Sequence, residues 1–465
     1  MASLKEWAKT DPRLQPVRPI LWAGWNGAKM CFRAVRSVVE TVGLPLRVAS
    51  VHRLLVQLDA HGHERIKPDS SVPIEQRRIV MMVINDLRRD PRVQREAKAL
   101  AAAGYKITII CPAWSREAKD LVVDFGAGID FRVLPVSAGR FAHAYPYLFG
   151  KQLYRAAVKE RAWAYHAHDL DVAVVAMAAA FDVGAGCVVD HHEWYSENIT
   201  WNSWKRKFQP HSGYKRKLYE KAERLALKIA NENITVCDSI GIEMRQRYDG
   251  PKPLRIIRNI PEIQKADHVR DLRQELKLPS QMKVVLYQGG VGPSRNLEPV
   301  IRSLPHIPEV VFAIRGPGTD RYGKVYEQLA NQLGVSDRLF CLPPVPSTEV
   351  VPEAKTADAG LWTLLANVGL NFKYSLPNKV FEYMAAGIPL LAADLPEVRR
   401  IVDEHRIGAC FDPDDPKSIA DAIRKTLDPV FAAECRANMV GAAQAYNSTT
   451  EWQKLVDLYR NLGAD

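Results

Sequence analysis

Lys379 and Glu382 are the two residues whose types and spacing most directly suggest chemistry. They lie within segment 375–389, which predicts a loop, a short helix, a turn and then a buried strand. Pro377 suits a first helical turn, and Gly387 suits the left-handed residue that follows a helix. Residues three apart share one face of a helix. The segment therefore predicts a cation and a carboxylate side by side near the start of a helix.

The start of a helix attracts phosphate, because it offers free backbone N–H groups and about half a positive charge. Lys379 would add to this attraction. Glu382 is better suited to accept hydrogen bonds from neutral hydroxyls, such as those of a ribose. The segment could therefore hold a sugar nucleotide. An ordinary helix between two strands, with a Lys–Glu pair on its surface, would show the same pattern.

Glycine and arginine residues follow the strand predicted at 283–287. Gly289 and Gly290 let the backbone approach a ligand closely, and Arg295 precedes a helix that begins near Leu297. A guanidinium at this place could bind a diphosphate through two hydrogen bonds. We therefore expect Arg295 to act together with Lys379.

Two polar clusters follow predicted strands in the first half of the chain. His168 ends one of these strands, whereas His192, Glu193 and Glu197 follow the strand at 187–190. Ligands of α/β proteins gather beyond the carboxyl ends of parallel strands. Adjacent histidines of an extended chain point to opposite sides, so the pair before Glu193 does not easily bind one ion. We expect no metal here.

Alternating strands and helices predict doubly wound α/β domains. A β-branched run at 78–84 is followed by a helix that begins at Asp90-Pro91, ends at Gly104 and leads to a strand at 106–110. The loop before this helix lacks the G-x-G-x-x-G fingerprint of dinucleotide binding, which counts against a nicotinamide enzyme.

The run Ser-Leu-Pro-Asn-Lys-Val-Phe-Glu-Tyr-Met from Ser375 resembles the signature of the retaining glycosyltransferases of the two-domain GT-B fold. This large family includes sucrose and glycogen synthases. Its motif is a Glu, seven residues, a second Glu and an Ala/Gly-Xaa-Pro turn. Glu382 matches the second Glu, whereas Tyr374 stands where the family has the first, near the donor sugar. The variant resembles a branch that acts mostly in bacterial cell-surface polysaccharide assembly.

The resemblance implies an α/β fold with two Rossmann-like domains facing a cleft, and a metal-independent transfer with retention from a UDP- or GDP-sugar to a glycan or lipid-linked acceptor. It implies that His168 faces the donor sugar and that Gly316 lies in a loop near the base. The predicted catalytic residues are His168, Glu193 and Glu197, and the predicted donor-binding residues are Gly289, Gly290, Arg295, Gly316, Ser375, Lys379 and Glu382. The alternatives are a nucleotide-sugar 2-epimerase of the same fold and a non-catalytic partner subunit. Tyr374, in place of the first Glu of the motif, would indicate such a loss of catalysis.

Four parts of the chain are expected. They are a basic helical extension at 1–73, an acceptor domain at 74–265, a nucleotide-sugar domain at 266–429 and a segment at 430–465 that crosses back to the first domain. Apolar stripes at helical spacing predict a helical hairpin within residues 30–58. We expect the hairpin to dock on protein, with a membrane surface as the alternative.

The net charge of +11 is concentrated in two stretches. Residues 1–78 hold thirteen Lys/Arg against seven Asp/Glu, and residues 205–228 hold nine against two. Such patches indicate an anionic partner, such as a membrane surface or a charged acceptor, although they could also be solvated faces. Nucleic acid ranks low, because no recognised nucleic-acid module surrounds the second patch.

The composition predicts a cytoplasmic protein that can associate peripherally with the inner face of the membrane. No apolar run reaches 18 residues, and the polar start at residues 1–11 does not resemble a secretory signal. The seven cysteines are scattered without a Cys-x-x-Cys pair, as expected for free thiols in a reducing compartment.

Overall fold

The computed structural model describes residues 54–60, 67–112 without 86, 88 and 89, 126–134, 150–202, 207–211, 213–262, 271–366 and 368–463. The predicted hairpin within 30–58 lies outside these residues, apart from a helix at 54–60. No disulfide joins the cysteines of the described part.

The first domain is built on a seven-stranded sheet in the order β3-β2-β1-β4-β5-β8-β9, and every neighbouring pair is parallel. A separate antiparallel hairpin, β6–β7, follows β5. The strands are β1 (Arg78–Met82), β2 (Lys106–Pro112), β3 (Ile129–Leu134), β4 (Ala164–His168), β5 (Gly186–His191), β6 (Ile199–Asn202), β7 (Lys207–Pro210), β8 (Glu232–Thr235) and β9 (Arg255–Ile256).

Helices cover both faces of this sheet, as parallel strands require. They are α1 (Pro91–Ala102), α2 (Gly150–Glu160), α3 (Leu170–Val183), α4 (Gly213–Ile229) and α5 (Asp238–Tyr248). Asp90 caps α1 by accepting a hydrogen bond from the Val93 backbone N–H at 3.3 Å. Helix α3 is apolar on nearly every side and is buried between the sheet and its helical neighbours.

The second domain repeats this design around a six-stranded parallel sheet in the order β12-β11-β10-β13-β14-β15. Its strands are β10 (Lys283–Gln288), β11 (Val310–Arg315), β12 (Leu339–Leu342), β13 (Ala359–Trp362), β14 (Leu390–Ala393) and β15 (Gly408–Phe411). Its helices are α6 (Leu272–Glu275), α7 (Glu298–Ser303), α8 (Thr319–Gln332), α9 (Val350–Ala354), α10 (Leu370–Lys373), α11 (Asn378–Ala386), α12 (Pro396–His405) and α13 (Pro416–Leu427). The predicted fold class, two such domains facing a cleft, is confirmed.

The last two helices, α14 (Pro429–Ala445) and α15 (Ser448–Arg460), belong to different domains. Helix α14 packs on α11 and α13 of the second domain, whereas α15 packs on α1 of the first. Leu455 and Tyr459 of α15 are fully buried in the core that contains β1 and β2. The chain therefore returns to its first domain after completing the second.

Candidate active site

A cavity of about 410 Å³ lies between the two domains. The first domain contributes residues from the loops after β1, β5 and β8, and the second contributes the turn before α7 and the segment around α10 and α11. Its lining consists of Asp90, Arg92, His192, Glu193, Asn198, Ile199, Phe208, Val236, Ile240, Asn259, Ser294, Arg295, Leu364, Asn371, Phe372, Ser375, Leu376 and Asn378. A cavity with this mixture of charged and neutral polar groups is a natural ligand site.

On the second-domain wall, the side chains of Lys379 and Arg295 lie over the glycine pair that follows β10. A Cβ atom on Gly289 would lie 2.3 Å from the Lys379 ammonium, and one on Gly290 would lie 4.0 Å from an Arg295 terminal nitrogen. Lys379 also sits 5.4 Å from the centroid of the Tyr287 ring. A larger residue at 289 would displace the lysine head group, so the structure brings together the glycine pair and the two cations that the sequence predicted.

The two cations have no carboxylate partner among the described residues. Burial and the positive charge of Arg295 lower the pKa of Lys379 to about 8, and Glu382 only partly opposes this effect. Burial raises the pKa of Glu382, although Lys379 and Arg95 of the first domain counteract it. Like charges held together without a partner are costly, so this arrangement favours an anionic ligand.

Gly316, at the end of β11, touches the glycine loop directly. Its φ of +149° lies in a region that side chains disfavour, and a Cβ atom on it would lie 2.0 Å from the Gly289 carbonyl oxygen. Hydrogen bonds join the two loops, since the Gly289 N–H donates to the Arg315 carbonyl at 2.8 Å. Glycine at 316 therefore lets the end of β11 pack closely against the Gly289 loop, over which the two cations lie.

On the first-domain wall, His192 is held between two carboxylates. Its Nε2 lies 2.9 Å from Asp190 Oδ2, and its Nδ1 lies 3.3 Å from Asp169 Oδ2. Burial alone would lower the His192 pKa, but these two carboxylates raise it well above its usual value. His192 therefore presents an imidazolium ring to the cavity, and its side chain is 15% exposed.

Glu193, next in the chain, is exposed to the cleft and accepts a hydrogen bond from the Asn198 amide. The surrounding protein removes water and raises the pKa of the Glu193 carboxyl, and the negative charge of Asp169 raises it further. The neighbouring Asn198 amide, His192 and, across the cavity, Arg295 each lower it in part. A carboxylate in this place can accept hydrogen bonds from ligand hydroxyls.

Known proteins match this chain in both halves. A model described as Glycosyltransferase Family 4 matches residues 92–261, and a model described as Glycosyl transferases group 1 matches residues 269–444. The two matches do not overlap: the first contains every strand of the seven-stranded sheet except β1, and the second contains the whole six-stranded sheet. The chain therefore belongs to the GT-B glycosyltransferase family. The predicted family is thus confirmed.

Curated relatives of this GT-B protein match over part of their length. A D-inositol 3-phosphate glycosyltransferase of Xylanimonas cellulosilytica is 28% identical over 40% of this chain and 44% of its own. The putative colanic acid biosynthesis glycosyl transferase WcaI of Escherichia coli is 28% identical over 36% of this chain and 42% of its own. The chain thus spans less than half the length of these relatives.

Solved structures establish the likeness of fold. The sucrose-phosphate synthase of Thermosynechococcus elongatus aligns with a TM-score of 0.65 at 17% identity, over 84% of this chain and 100% of its own. HepE of Anabaena, in complex with UDP and glucose, aligns with a TM-score of 0.62 at 17% identity, over 83% of this chain and 100% of its own.

Tyr374, the departure from the family motif, contacts the other domain of the GT-B protein. Its hydroxyl donates to Glu243 Oε1 of α5 at 3.2 Å, and its carbonyl oxygen lies 3.3 Å from Cys237 Sγ. Tyr374 does not line the cavity, whereas Asn371 and Ser375 on either side of it do. In this protein, Tyr374 therefore contributes to the contact between the two domains.

Glu197 and His168 do not line the cavity of the GT-B protein either. Glu197 is buried, and its carboxylate binds Arg216 at 2.6 Å and also Arg247. His168 is fully buried behind His192, with 3.4 Å between its Nδ1 and the Nε2 of His192. Glu193 is the only one of the three predicted catalytic residues that reaches the cleft directly.

A buried network lies behind His192. The Arg92 guanidinium donates two hydrogen bonds to Asp190, at 2.8 and 2.9 Å, and one to the Ile257 carbonyl at 3.0 Å. Its Nε also lies 3.0 Å from Glu96 Oε1. Burial raises the pKa of Glu96 to about 8, although Arg92 opposes this effect. The network positions His192 and also contacts the chain that leaves the first domain.

The same network brings Glu96, His166, His168 and Asp190 within the reach of one metal ion, since their ligand atoms lie within 4.8 Å of one another. The Arg92 guanidinium, however, already contacts both carboxylates. A divalent cation there would have to share its anionic ligands with a buried positive charge. The residues therefore do not fit a metal.

Sequence reasoning assigned no site role to Arg92, His192 or Asn371, although it noted His192 in a polar cluster. His192 belongs to the motif Asp190-x-His192-Glu193, so its position after a buried strand was an available signal. Arg92 and Asn371 show no comparable signal, because an arginine in a helix and an asparagine before one usually face water.

Proposed function

We propose that this protein is a glycosyltransferase that transfers a sugar from a UDP- or GDP-sugar to a hydroxyl of a glycan or lipid-linked acceptor, with retention of configuration. One observation carries the proposal. Two cations without a carboxylate partner among the described residues, Arg295 and Lys379, meet over the Gly289-Gly290 loop, and Arg295 lines the cavity between the two α/β domains. The solved complexes of HepE with UDP and with UDP-glucose support a nucleotide sugar as the donor.

In this proposal, the second domain holds the donor. Arg295 and Lys379 bind the diphosphate, and Glu382 accepts hydrogen bonds from the ribose hydroxyls. The loops of Gly289, Gly290 and Gly316 let the backbone approach the nucleotide, and Ser375 lines the wall beside it. The positive charges of the two cations complement the negative diphosphate, whereas the Glu382 carboxylate is suited to accept hydrogen bonds from neutral hydroxyls.

The first domain holds the acceptor, with Glu193 accepting a hydrogen bond from an acceptor hydroxyl. His168 and Glu197, being buried, contribute by supporting the cleft wall, His168 through His192. The bond between the sugar C1 and the diphosphate oxygen breaks, and the acceptor oxygen bonds to C1 on the same face. The acceptor proton passes to the departing diphosphate, whose charge Arg295 and Lys379 stabilise without a metal. Such charge stabilisation usually makes the greatest single contribution to catalysis of this kind.

Incubation with radiolabelled UDP- and GDP-sugars tests the proposal. We expect transfer, or slow hydrolysis in the absence of an acceptor. Epimer formation would favour a 2-epimerase, and no turnover with any sugar would favour a non-catalytic subunit. We also expect Glu382→Ala to weaken donor binding about tenfold or more, since each charged hydrogen bond contributes about 1.5–3 kcal/mol. Calorimetry on the folded variant measures this loss, and unchanged affinity would contradict the assignment.

We also propose that helix α4 of the first domain contacts an anionic membrane surface. Lys215, Lys217 and Arg224 are exposed on this helix, and Trp201, which is 47% exposed, packs against Phe208 of the preceding hairpin. Exposed cations and an exposed aromatic side chain in one domain suit a lipid headgroup region. A peripheral position would bring the cleft close to a lipid-linked acceptor. No helix in the described part of the chain is both long and apolar enough to span a bilayer.

Sedimentation with vesicles tests this surface. We expect the protein to pellet with phosphatidylglycerol vesicles, to remain in solution with phosphatidylcholine vesicles, and to be released as salt screens the attraction. The double variant Lys217→Glu and Arg224→Glu should lose most of the binding. The exposed Lys355 of the second domain provides a matched control as Lys355→Glu. Equal pelleting with both lipids would reject the surface.

A further inference from the structure

Asn371 lies where the second domain comes closest to the first. It belongs to the four-residue helix α10, which follows Gly369. A Cβ atom on Gly369 would lie 2.6 Å from the Glu197 carbonyl oxygen of the first domain. Glycine therefore lets α10 approach the segment after β5, and Asn371 is carried into the boundary between the domains.

The orientation of the Asn371 amide is fixed by its partner. The backbone N–H of Trp194, in the first domain, lies 2.8 Å from Asn371 Oδ1. A backbone N–H can only donate, so the atom facing it must be the carbonyl oxygen of the amide. Trp194 is itself immobilised, because its side chain is fully buried and Arg247 lies 4.4 Å from its ring centroid.

The NH2 group of Asn371 is left without a partner among the described residues. The residue is only 9% exposed, yet it lines the cavity between the domains. Its two N–H donors are therefore available to a ligand in that cavity. Water can accept from these N–H groups in the free cavity, and a ligand with an acceptor oxygen can replace that water without loss of the hydrogen bond.

The position of the Asn371 NH2 group within the site points to the sugar of the bound nucleotide sugar. The diphosphate cations Arg295 and Lys379 lie on the Gly289-Gly290 side of the second domain, whereas Asn371 lies where that domain meets the first. Arg295, Asn371 and Glu193 line the same cavity, so a nucleotide sugar whose diphosphate binds Arg295 can place its sugar at Asn371. Nearby, Ser375 and Asn378 make the wall neutral and polar.

We propose that Asn371 is a positioning residue that donates a hydrogen bond to an oxygen of a neutral hexosyl group of the donor. This inference rests on the proposed function and deepens it. Trp194 of the opposite domain orients the Asn371 amide. The amide NH2 group is therefore correctly placed only while the two domains are together. Recognition of the sugar is thereby linked to closure of the cleft.

The substitution Asn371→Asp separates the two contacts of this side chain. A carboxylate still accepts from the Trp194 N–H, but it turns a second acceptor oxygen towards the ligand. Calorimetry should show that the affinity for UDP-glucose falls about 10- to 100-fold, whereas the affinity for UDP stays within about twofold. If the wild-type protein prefers a GDP-sugar, the same comparison is made between that GDP-sugar and GDP.

Two further variants control the experiment. Asn331→Asp, on the exposed face of α8, introduces the same charge change away from the cleft and should leave both affinities unchanged. Asn371→Ala should speed hydrogen exchange at the Trp194 amide, which Asn371→Asp should not do. This exchange is measured without any ligand.

The outcomes are distinct. Equal loss of UDP and UDP-glucose affinity in Asn371→Asp, or loss of neither, would overturn the sugar contact. Unchanged Trp194 exchange in Asn371→Ala would overturn the link between the domains. If the wild-type protein bound neither nucleotides nor nucleotide sugars, the proposed function itself would fail, and this assignment with it.

Discussion

Lys379→Met is expected to lower kcat/KM for the donor by about two to three orders of magnitude, the usual cost of removing one group that stabilises a departing anion. Methionine keeps most of the side-chain volume above Gly289, so the loop should keep its shape. Lys417→Met, at an exposed lysine of α13 that does not line the cavity, is the matched control. Comparable losses in both variants would show that the effect is not specific to the site.

The same lysine predicts a pH dependence. Burial and Arg295 lower the pKa of Lys379 to about 8, so in the free protein its positive charge is lost as the pH rises through that value. Donor affinity should therefore fall between about pH 7 and 9. Lys379→Arg should bind without this decline, because a guanidinium stays charged throughout the range. A decline of equal size in that variant would assign the titration to another group.

Arg92→Met is expected to cost about 3–5 kcal/mol in the free energy of unfolding, the largest stability effect that we foresee. The guanidinium is 2% exposed and contacts Asp190, Glu96 and the Ile257 carbonyl. Its removal leaves two buried carboxyl groups without their cation. Chemical denaturation, followed by a first-domain signal such as Trp163 fluorescence, would measure the loss.

A surface ion pair in the same domain provides the control for this loss. Arg132 contacts Glu160, and the Arg132 side chain is 48% exposed. Exposed pairs contribute about 0–1 kcal/mol, so Arg132→Met should change stability little. If Arg92→Met cost no more than Arg132→Met, the buried network would not be the stabilising feature described above.

The sequence was most informative where a function depends on residues close together in the chain. Glycine after β10, Arg295 soon after it, and Lys379 with Glu382 on one helix are local patterns, and the structure brings them together. The parallel sheets were equally predictable, because strands buried on both faces leave continuous apolar runs.

Long-range partners explain what sequence reasoning could not supply. Asp190 is 98 residues from Arg92, and Asn371 is 177 residues from Trp194. No periodicity encodes such pairs. Glu197 shows the opposite error, in which a residue is wrongly expected in the site. Its place after a strand suggested a site residue, but its carboxylate binds one arginine of α4 and one of α5.

The return of α15 to the first domain means that the polypeptide passes between the domains twice. The first passage follows Arg258, and the second precedes Glu451. Glu451 Oε2 accepts from the Arg258 N–H at 2.7 Å, so the two passages touch. Two adjacent interdomain connections form a hinge. They allow one lobe to swing towards the other, but they resist sliding and twisting, so the opposing walls should meet in the same register in every catalytic cycle.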